Sequence, residues 1–366
     1  MKIVVVGLRG FPNIQGGIET HCEELYPRIV ALGQEVIVIR RTGFVKENPP
    51  MAIYKGVKFK NIKSPFVIGL EAAIHTFKGI WYAKKVHADI VHVHAIGPAI
   101  AIPFAKLLGL KVVMTHHGPD YDREKWGRFA RFVLKTGEFF AAKMADGIIV
   151  ISTVIRDILH NKYGRNKAIH LIYNGVNAGK VPSTTDYLDK LNLEKKKYIL
   201  AVGRFVEEKG FDKLIKAYLS SNIKNYKLVI AGDADHNTQY AHDLKKLAKE
   251  NGILLTGMIK GDKLQSLYAN AKLFVLPSSH EGLPITLLEA MSYNLDVLVS
   301  DIPANKAVGL NPDCYFIQNN SADFENKLTD KLSQDIKPKY DLTPYNWDNI
   351  AEDTLNVYYR ILNNHK

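Results

Sequence analysis

Residues 272–291 read KLFVLPSSHEGLPITLLEAM and contain, in order, a strand, a polar loop and a helix. The apolar run 273–276 predicts a short buried strand. Pro284 suits the first turn of a helix, where its missing N–H group leaves no hydrogen bond unmade. Glu281 therefore falls on the loop at the carboxyl end of a strand, and Glu289 falls inside the following helix. A helix N-terminus attracts anions, so a carboxylate beside one indicates a functional site.

The same alternation of short apolar strands with helical segments runs along the whole chain. The predicted strands are residues 2–6, 35–40, 90–94, 111–115 and 147–152 in the first half, and 198–202, 227–231, 253–255, 273–276 and 296–299 in the second. Helical segments such as 19–32 and 98–108 lie between them. This rhythm predicts an α/β protein with two doubly wound, mostly parallel sheets. In such sheets ligands bind outside the carboxyl ends of the strands.

Length and composition agree with two soluble domains. A chain of 366 residues exceeds one typical core, and its 46% hydrophobic and 23% charged content is ordinary for a globular protein. We expect domains at 1–180 and 181–345, with a C-terminal helix in 346–366 that packs back on the first domain. Cys22 and Cys314 form no ligand or disulfide pattern, which fits a reducing compartment. With no signal peptide and no run of about 18 apolar residues, we expect a cytoplasmic protein.

Positive charge is concentrated in the first half of the chain. Residues 1–180 hold 26 Lys and Arg against 13 Asp and Glu, whereas the remainder holds 23 against 24. The predicted helix within 122–146 carries the candidate acceptor or membrane contacts Arg123, Lys125, Trp126, Arg128 and Arg131. A basic helix with aromatic residues can lie on an anionic membrane surface. Alternatively, the aromatic side chains belong to the core and the cations are solvated. No nucleic-acid motif is recognised, so we expect no nucleic-acid partner.

Two glycine-containing loops are candidate phosphate sites. Gly16 and Gly17 precede a helix and could let a phosphate approach backbone N–H groups, or they form a plain turn. The N-terminal glycines do not make a G-x-G-x-x-G motif, which weakens a dinucleotide interpretation. In the segment VGRFVEEKG, residues 202–210, Arg204 and Lys209 suit a diphosphate. The alternative is that the two intervening glutamates neutralise both cations.

Histidines end two predicted strands of the first half. His117, in the segment THHG, can hydrogen-bond a sugar hydroxyl or stabilise developing charge, whereas a structural role is favoured for His116. His92 and His94 alternate on a strand, but no carboxylate or cysteine stands at ligand spacing, so a structural role is favoured. The pair Asp233 and Asp235 looks like a metal-binding D-x-D, but that motif belongs to a different fold. We therefore predict no metal site.

Taken together, these residues resemble glycosyltransferase family 4, the retaining GT-B enzymes, over essentially the whole chain. The matching segments are the E-x7-E pair Glu281 and Glu289 after Pro-Ser-Ser, Gly203-Arg204 with Lys209-Gly210, Gly16-Gly17, Thr115 to Gly118, and Ile172 to Val176, where Tyr173 replaces the usual proline. The N-terminal segment also looks like bacterial polysaccharide transferases, including rhamnosyltransferases. The resemblance implies a GT-B fold of two Rossmann-like domains with the active site in the cleft between them.

The resemblance also implies a mechanism and a set of roles. A sugar would pass, with retention, from a UDP-, dTDP- or GDP-sugar to a glycan, without a metal or other cofactor. The implied catalytic residues are Glu281, Arg204, Lys209 and His117, and the implied donor-binding residues are Gly16, Gly17, Gly203, Gly282, Leu283, Pro284 and Glu289. Arg204 and Lys209 would stabilise the leaving diphosphate, Glu289 would bind the ribose, and Glu281 would contact the donor sugar.

The charge asymmetry and the basic helix indicate the acceptor. We expect an undecaprenyl-diphosphate-linked glycan of capsule, O-antigen or exopolysaccharide synthesis, with peripheral binding at the inner face of the cell membrane. Two alternatives remain at this stage. One is a non-hydrolysing UDP-sugar 2-epimerase, although E-x7-E is not its signature. The more distant one is an NAD(P)-dependent oxidoreductase, in which Arg40 and Arg41 could suit a 2′-phosphate.

Overall fold

A computed structural model describes residues 1–45, 47–63, 71–122, 127–234 and 238–363. The chain divides into two compact units, Met1–Gly175 with Asn346–Lys366, and Val176–Tyr345. The division falls a few residues before the 180/181 boundary expected from the polar stretch. The first and last residues of the second unit are joined by a hydrogen bond, which the Val176 N–H donates to the Tyr345 C=O at 2.8 Å.

The described residues form fourteen strands and thirteen α-helices. The strands are β1 Lys2–Val6, β2 Glu35–Arg41, β3 Ile53–Tyr54, β4 Val57–Ile62, β5 Ile90–His94, β6 Val112–His116, β7 Gly147–Val150, β8 Ile169–Leu171, β9 Tyr198–Val202, β10 Lys227–Ala231, β11 Leu254–Leu255, β12 Leu273–Leu276, β13 Asp296–Ser300 and β14 Tyr315–Phe316. The helices are α1 Gly17–Ala31, α2 Glu71–Lys85, α3 Ile102–Leu107, α4 Arg128–Met144, α5 Thr153–Tyr163, α6 Asp186–Lys190, α7 Phe211–Ser220, α8 Gln239–Glu250, α9 Asp262–Asn270, α10 Ile285–Ser292, α11 Pro303–Lys306, α12 Ser321–Ser333 and α13 Trp347–Asn363.

Each unit contains one doubly wound sheet, which confirms the predicted fold class. In the described residues of the first unit the strand order is β3-β4-β2-β1-β5-β6-β7-β8, and only the β3–β4 pairing is antiparallel. The order in the second unit is β11-β10-β9-β12-β13-β14, with parallel pairings throughout the part described. In each sheet the first strand along the chain, β1 or β9, is central, and later strands are added on both sides of it. The loops that follow these central strands therefore lie together at the carboxyl edge of the sheet.

Several elements differ from the sequence-based expectation. The segment predicted as one helix over 98–108 is a 3-10 turn, Pro98–Ala101, followed by α3. The basic helix predicted within 122–146 is present as α4, Arg128–Met144. Strand β4 was not predicted, since it alternates a buried Val57 with exposed lysines and lies toward the edge of its sheet.

Helix α13 completes the core of the first unit, although it is distant in sequence. Its buried residues recur every three or four positions and pack with α1 and the first sheet; they include Trp347, Ile350, Val357, Tyr358 and Ile361. A Cβ atom on Gly175 would lie 2.4 Å from Cδ2 of Trp347, so only glycine fits beneath the indole. Among the described residues, no helix is long and apolar enough to cross a membrane.

Truncating the buried indole should destabilise the protein. We expect Trp347→Ala to lower the free energy of unfolding by about 3–5 kcal/mol, because it leaves a cavity among well-packed residues. The matched control is Trp81→Ala, since that indole is 61% exposed and its loss should change stability by about 1 kcal/mol or less. Urea denaturation followed by far-UV circular dichroism measures both. Equal effects of the two substitutions would contradict the core role of α13.

Candidate active site

Two loops meet at the carboxyl edge of the second sheet. Strand β9 leads into residues 203–210, and strand β12 leads into residues 277–284. The two strands are paired and parallel, so both loops leave the sheet at the same edge. The candidate residues Arg204, Lys209 and Glu281 lie on these loops. The structure thus brings together in one unit the segments that the sequence singled out 70 residues apart.

Close backbone packing explains two glycines, Gly210 of the first loop and Gly232, which follows β10 and packs against Gly203. A Cβ atom on Gly232 would lie 1.8 Å from the carbonyl oxygen of Gly203, and one on Gly210 would lie 2.6 Å from that of Pro277. Gly210 also has φ of 64°, which disfavours other residues. The Ser279 N–H donates to the Glu208 carbonyl at 2.8 Å. The two loops therefore hold each other in place through their backbones.

Lys209 and Glu281 form an ion pair between the two loops. The Lys209 Nζ atom lies 2.5 Å from Oε1 of Glu281, and the two side chains are only 16% and 11% exposed. Burial alone would raise the pKa of Glu281, but the Lys209 ammonium outweighs that effect and holds the pKa below its ordinary value. Glu281 is therefore an ionised hydrogen-bond acceptor near neutral pH and not a proton donor.

Helix α10 begins at Ile285 beside this ion pair. Pro284 is the residue that precedes the helix, with extended φ and ψ of −76° and 104°, and so lies one position before the predicted first turn. Leu283 and Pro284 are buried, whereas Gly282 is partly exposed. The first N–H groups of α10 point back toward the loop that carries Glu281, and they favour an anion there.

Glu289 has a different partner from Glu281. Tyr268 of helix α9 donates its hydroxyl hydrogen to Oε2 of Glu289 at 2.9 Å, and its ring is almost fully buried. Burial, together with the charge of Glu289, raises the pKa of this hydroxyl well above its ordinary value, so it stays a donor. The sequence did not single out Tyr268, because tyrosine on a helix is common in cores. The two glutamates thus belong to separate hydrogen-bonded groups.

The other candidates of the second unit are Arg204 and the pair Asp233 and Asp235. Arg204 is partly buried and follows Gly203 directly on the first loop. Asp233 is ion-paired with Lys245 at 2.6 Å, which fits a structural role better than a D-x-D metal site. Asp235 lies outside the described residues. A buried bond from Ser300 Oγ to the Ser278 carbonyl supports the second loop from behind.

In the first unit, the glycine loop before α1 is occupied by a side chain of the protein. Glu19, in the first turn of α1, accepts hydrogen bonds from the Arg9 backbone N–H at 3.2 Å and from Arg9 Nε at 3.1 Å. Gly16 has φ of 154°, which disfavours other residues, and a Cβ atom there would lie 2.0 Å from Oε2 of Glu19. Within the described part of the chain, a Cβ atom on Gly17 would meet nothing within 4 Å. Of the two glycines, Gly17 has room for a ligand.

The two histidines at the end of β6 have different surroundings. His116 is fully buried; its Nδ1 accepts from the Gly118 N–H at 3.1 Å, and its Nε2 bonds Oε1 of Glu138 at 3.0 Å. Both ring nitrogens are therefore engaged inside the unit. His117 is only partly buried, and its Nε2 contacts Nδ1 of His94 at 2.9 Å. Its partial exposure is compatible with the ligand contact predicted for His117.

Part of the predicted acceptor surface lies on α4. Arg128 and Arg131 are exposed on its first turns, next to Phe129 and Phe132, which are 75% and 67% exposed. The structure therefore places these two aromatic residues at the surface and not in the core. Arg123, Lys125 and Trp126, predicted to belong to the same surface, lie outside the described residues.

Both halves of the chain match models of known protein families. Residues 15–180 match the model described as Glycosyltransferase Family 4, and residues 183–344 match Glycosyl transferases group 1. The chain belongs to glycosyltransferase family 4. This assignment confirms the resemblance seen in the motifs. It gives no support to the epimerase or the oxidoreductase that the sequence alone left open.

Relatives and solved structures agree with this assignment. The enzyme is 26% identical to an uncharacterized glycosyltransferase of Methanocaldococcus jannaschii, with 98% of each chain covered. It is 31% identical to a UDP-Gal:alpha-D-GlcNAc-diphosphoundecaprenol alpha-1,3-galactosyltransferase of Escherichia coli, over 66% of this chain and 65% of that one. The structure of Anabaena HepE in complex with UDP and glucose aligns with a TM-score of 0.79 at 16% identity, covering 98% of this chain and 100% of that one. The enzyme has the GT-B fold.

The buried carboxylate behind the THHG segment should make the stability of the enzyme depend on pH. Glu138 is fully buried, which alone would raise its pKa, but bonds from His116, Lys162 and Tyr163 lower the pKa to about 2. Its folded pKa thus lies below its unfolded pKa. Its contribution is complete above about pH 5 and is lost as the pH falls toward 2.

We therefore expect Glu138→Gln to lower the free energy of unfolding by about 3–5 kcal/mol at pH 7, because it leaves Lys162 and its neighbours without their anion. The deficit should be the same at pH 6 and should shrink below about pH 4.5. Urea denaturation at several pH values measures it, with the exposed Glu250→Gln as control. A deficit that does not change with pH would contradict the ionised state of Glu138.

Proposed function

We propose that this glycosyltransferase moves a sugar from a nucleoside-diphosphate donor to a glycan acceptor, with retention at the anomeric carbon. The observation that carries the proposal is the Lys209–Glu281 ion pair beside the N-terminus of α10. This arrangement combines two cationic loop residues, free helix N–H groups and an ionised carboxylate at one edge of the sheet. A nucleotide-sugar offers the complementary groups, which are a diphosphate and a row of hydroxyls.

The donor diphosphate is bound by the first loop and by the start of α10. The Lys209 ammonium has three N–H donors, so it can keep its bond to Glu281 while donating to a phosphate oxygen. Arg204 adds a planar fork that suits phosphate, and the backbone N–H groups after Gly282 add further donors. These groups stabilise the negative charge that builds on the leaving diphosphate, without a metal ion.

The two glutamates bind different hydroxyls of the donor. Glu281 is ionised and accepts hydrogen bonds from the transferred sugar near its reacting carbon. Glu289, oriented by Tyr268, accepts hydrogen bonds from the ribose. A carboxylate has about four acceptor positions, so Glu289 can keep the tyrosine hydroxyl while it takes a ribose hydroxyl. Gly203, Leu283 and Pro284 shape the backbone around the donor.

Retention follows if the acceptor attacks from the face that the diphosphate leaves. The bond between the anomeric carbon and the diphosphate oxygen breaks, the acceptor oxygen bonds to the same face, and a leaving phosphate oxygen takes the acceptor proton. Lys209 and Arg204 hold that phosphate in position. Glu281 is held by Lys209 and acts through charge and hydrogen bonding. Gly17 and His117 are proposed to contact the donor as well, as the family resemblance implies.

The relatives support the donor and acceptor classes. The E. coli relative is named as using UDP-Gal and a diphosphoundecaprenol-linked sugar, and the Anabaena structure is described with UDP and glucose. Accordingly the proposed donor is a UDP-, dTDP- or GDP-sugar, and the proposed acceptor is an undecaprenyl-diphosphate-linked glycan. The exposed pairs Arg128 with Arg131 and Phe129 with Phe132 are suited to an anionic membrane surface, such as the inner face of the cell membrane.

Loss of Arg204 should remove catalysis with little effect on folding. We expect Arg204→Ala to lower donor turnover by about 10²–10³-fold, because it removes a positioned donor to the leaving diphosphate. The matched control is Lys213→Ala, which removes an exposed cation from the next helix. Turnover is measured as sugar transfer from UDP-, dTDP- and GDP-sugars, and thermal denaturation shows whether each variant is folded. A folded Arg204→Ala enzyme with normal turnover would disprove the diphosphate assignment.

Removal of the exposed charges of α4 should weaken membrane binding. We expect the wild-type enzyme to float with liposomes that contain anionic lipid and not with neutral ones. The double substitution R128Q/R131Q should reduce flotation, because each basic residue near an anionic surface contributes about 1 kcal/mol. The control K246Q/K249Q removes the same charge from an exposed helix of the second unit. Equal flotation of both double variants would favour an acceptor that is not at a membrane.

A further inference from the structure

Three histidines from separate segments of the first unit converge beneath the ends of β5 and β6. They are His21 of α1, His94 at the end of β5 and His117 after β6, and one ring nitrogen of each lies within 4.8 Å of the others. His21 and His94 are buried, whereas His117 is partly exposed. The closest pair is Nδ1 of His94 and Nε2 of His117, 2.9 Å apart. The cluster is therefore compact and still reached from outside.

His21 has a buried nitrogen with an unused lone pair. Its Nδ1 bonds Oδ1 of Asn174 at 3.0 Å, and because an amide oxygen only accepts, the ring hydrogen is on Nδ1. A proton on Nε2 would be a buried donor with no acceptor among the described residues, so the ring is neutral and Nε2 carries no hydrogen. Within the part of the chain that the structure describes, this Nε2 has no hydrogen-bond partner. A buried acceptor without a donor is unfavourable by about 1–3 kcal/mol.

Groups behind the cluster hold the rings in the orientation that metal ligands need. Asn174 holds His21 through Nδ1, and the Tyr26 hydroxyl bonds Nε2 of His94 from the side opposite His117. Metal-binding histidines usually use their second nitrogen in this way, which orients the ring and selects its tautomer. His92, the next inward histidine on β5, is different, because both of its ring nitrogens already bond Tyr26, Tyr358 or Thr115.

We propose that His21 Nε2, His94 Nδ1 and His117 Nε2 form a binding site for a divalent transition-metal cation of the Zn²⁺ class. Neutral imidazoles are preferred ligands of such ions. A tetrahedral ion about 2.0–2.1 Å from each nitrogen needs ligand atoms about 3.3 Å apart, so His94 and His117 must separate slightly, and the His21 nitrogen, up to 4.8 Å from the others, must move closer.

This site shares His117 with the proposed donor contacts but includes none of the groups proposed to bind the diphosphate. It uses residues of the first unit alone, whereas the cations proposed to stabilise the diphosphate belong to the second unit. The metal would fasten α1 to the ends of β5 and β6 and would satisfy the lone pair of His21. A bound ion should therefore raise the thermal stability of the protein by mass action, whatever its effect on sugar transfer.

Metal binding by the full-length chain without a histidine tag tests the proposal. The protein is stripped with EDTA, dialysed, and titrated with Zn²⁺, and bound metal is measured by equilibrium dialysis. Co²⁺, which has a ligand-sensitive visible spectrum, is titrated in parallel. We expect about one Zn²⁺ per chain, a raised melting temperature and no competition by Mg²⁺, which prefers oxygen ligands. The proposal would be overturned if the protein bound Zn²⁺ no more tightly than single exposed histidines do.

Substitutions locate the ion. His21→Gln and His117→Gln should each weaken Zn²⁺ binding by at least about tenfold and change the Co²⁺ spectrum. The matched control is His75→Gln, which replaces an equally buried histidine of α2 outside the cluster and should bind Zn²⁺ as the wild type does. If His21→Gln does not fold, the partly exposed His117 gives the decisive variant. Unchanged binding by folded His117→Gln would overturn the proposal.

Discussion

The ion pair between Lys209 and Glu281 is the constraint on which the candidate donor site depends. It joins loops that leave two adjacent strands, and it is largely shielded from water. Two charges removed from water are stable only when each keeps its partner, so the pair fixes the relative position of the loops as well as their charge. Gly210 serves the same end, because a Cβ atom there would lie 2.6 Å from the Pro277 carbonyl oxygen of the other loop.

The Lys209–Glu281 ion pair also gives the two glutamates different surroundings. Glu281 is held by the Lys209 ammonium at the edge of the sheet. Glu289, which lies inside helix α10, is held by the Tyr268 hydroxyl. A pair of carboxylates acting on one bond would need a shared environment, in which one of them is protonated. The lowered pKa of Glu281 argues against that arrangement. The geometry instead suits a long ligand with a diphosphate and separate sets of hydroxyls.

The first unit buries a set of neutral polar groups beside its ion pairs. Its core includes His92, hydrogen-bonded to Tyr26 and Tyr358, and burial lowers the pKa of His92 to about 3. Tyr358 comes from helix α13, so the last segment of the chain helps to orient histidines of β5. Neutral imidazoles of this kind can bond hydroxyls or coordinate a metal without first losing a proton.

Local pattern predicted most of the fold. Fully buried parallel strands such as β1, β5, β9 and β12 are short apolar runs followed by glycine or polar residues, so composition alone located them. Strands β3, β4, β8 and β14 lie at or next to a sheet edge and escaped prediction, since such strands are short or alternate with charged residues. The loop residues Arg204, Lys209 and Glu281 were also predictable, because parallel strands deliver their following loops to a common edge.

By itself, then, the sequence determined the two α/β units, the family and the side chains that end the central strands. Only the tertiary structure decided which of those side chains are partners. Lys209 pairs with Glu281 and not with its neighbours, Glu289 is bound by Tyr268, and His21 meets His94 and His117. The physical reason is that these contacts join residues 21 to 96 positions apart in the chain. Their proximity depends on strand order and helix packing. Periodicity and composition, in contrast, report only on near neighbours in the chain.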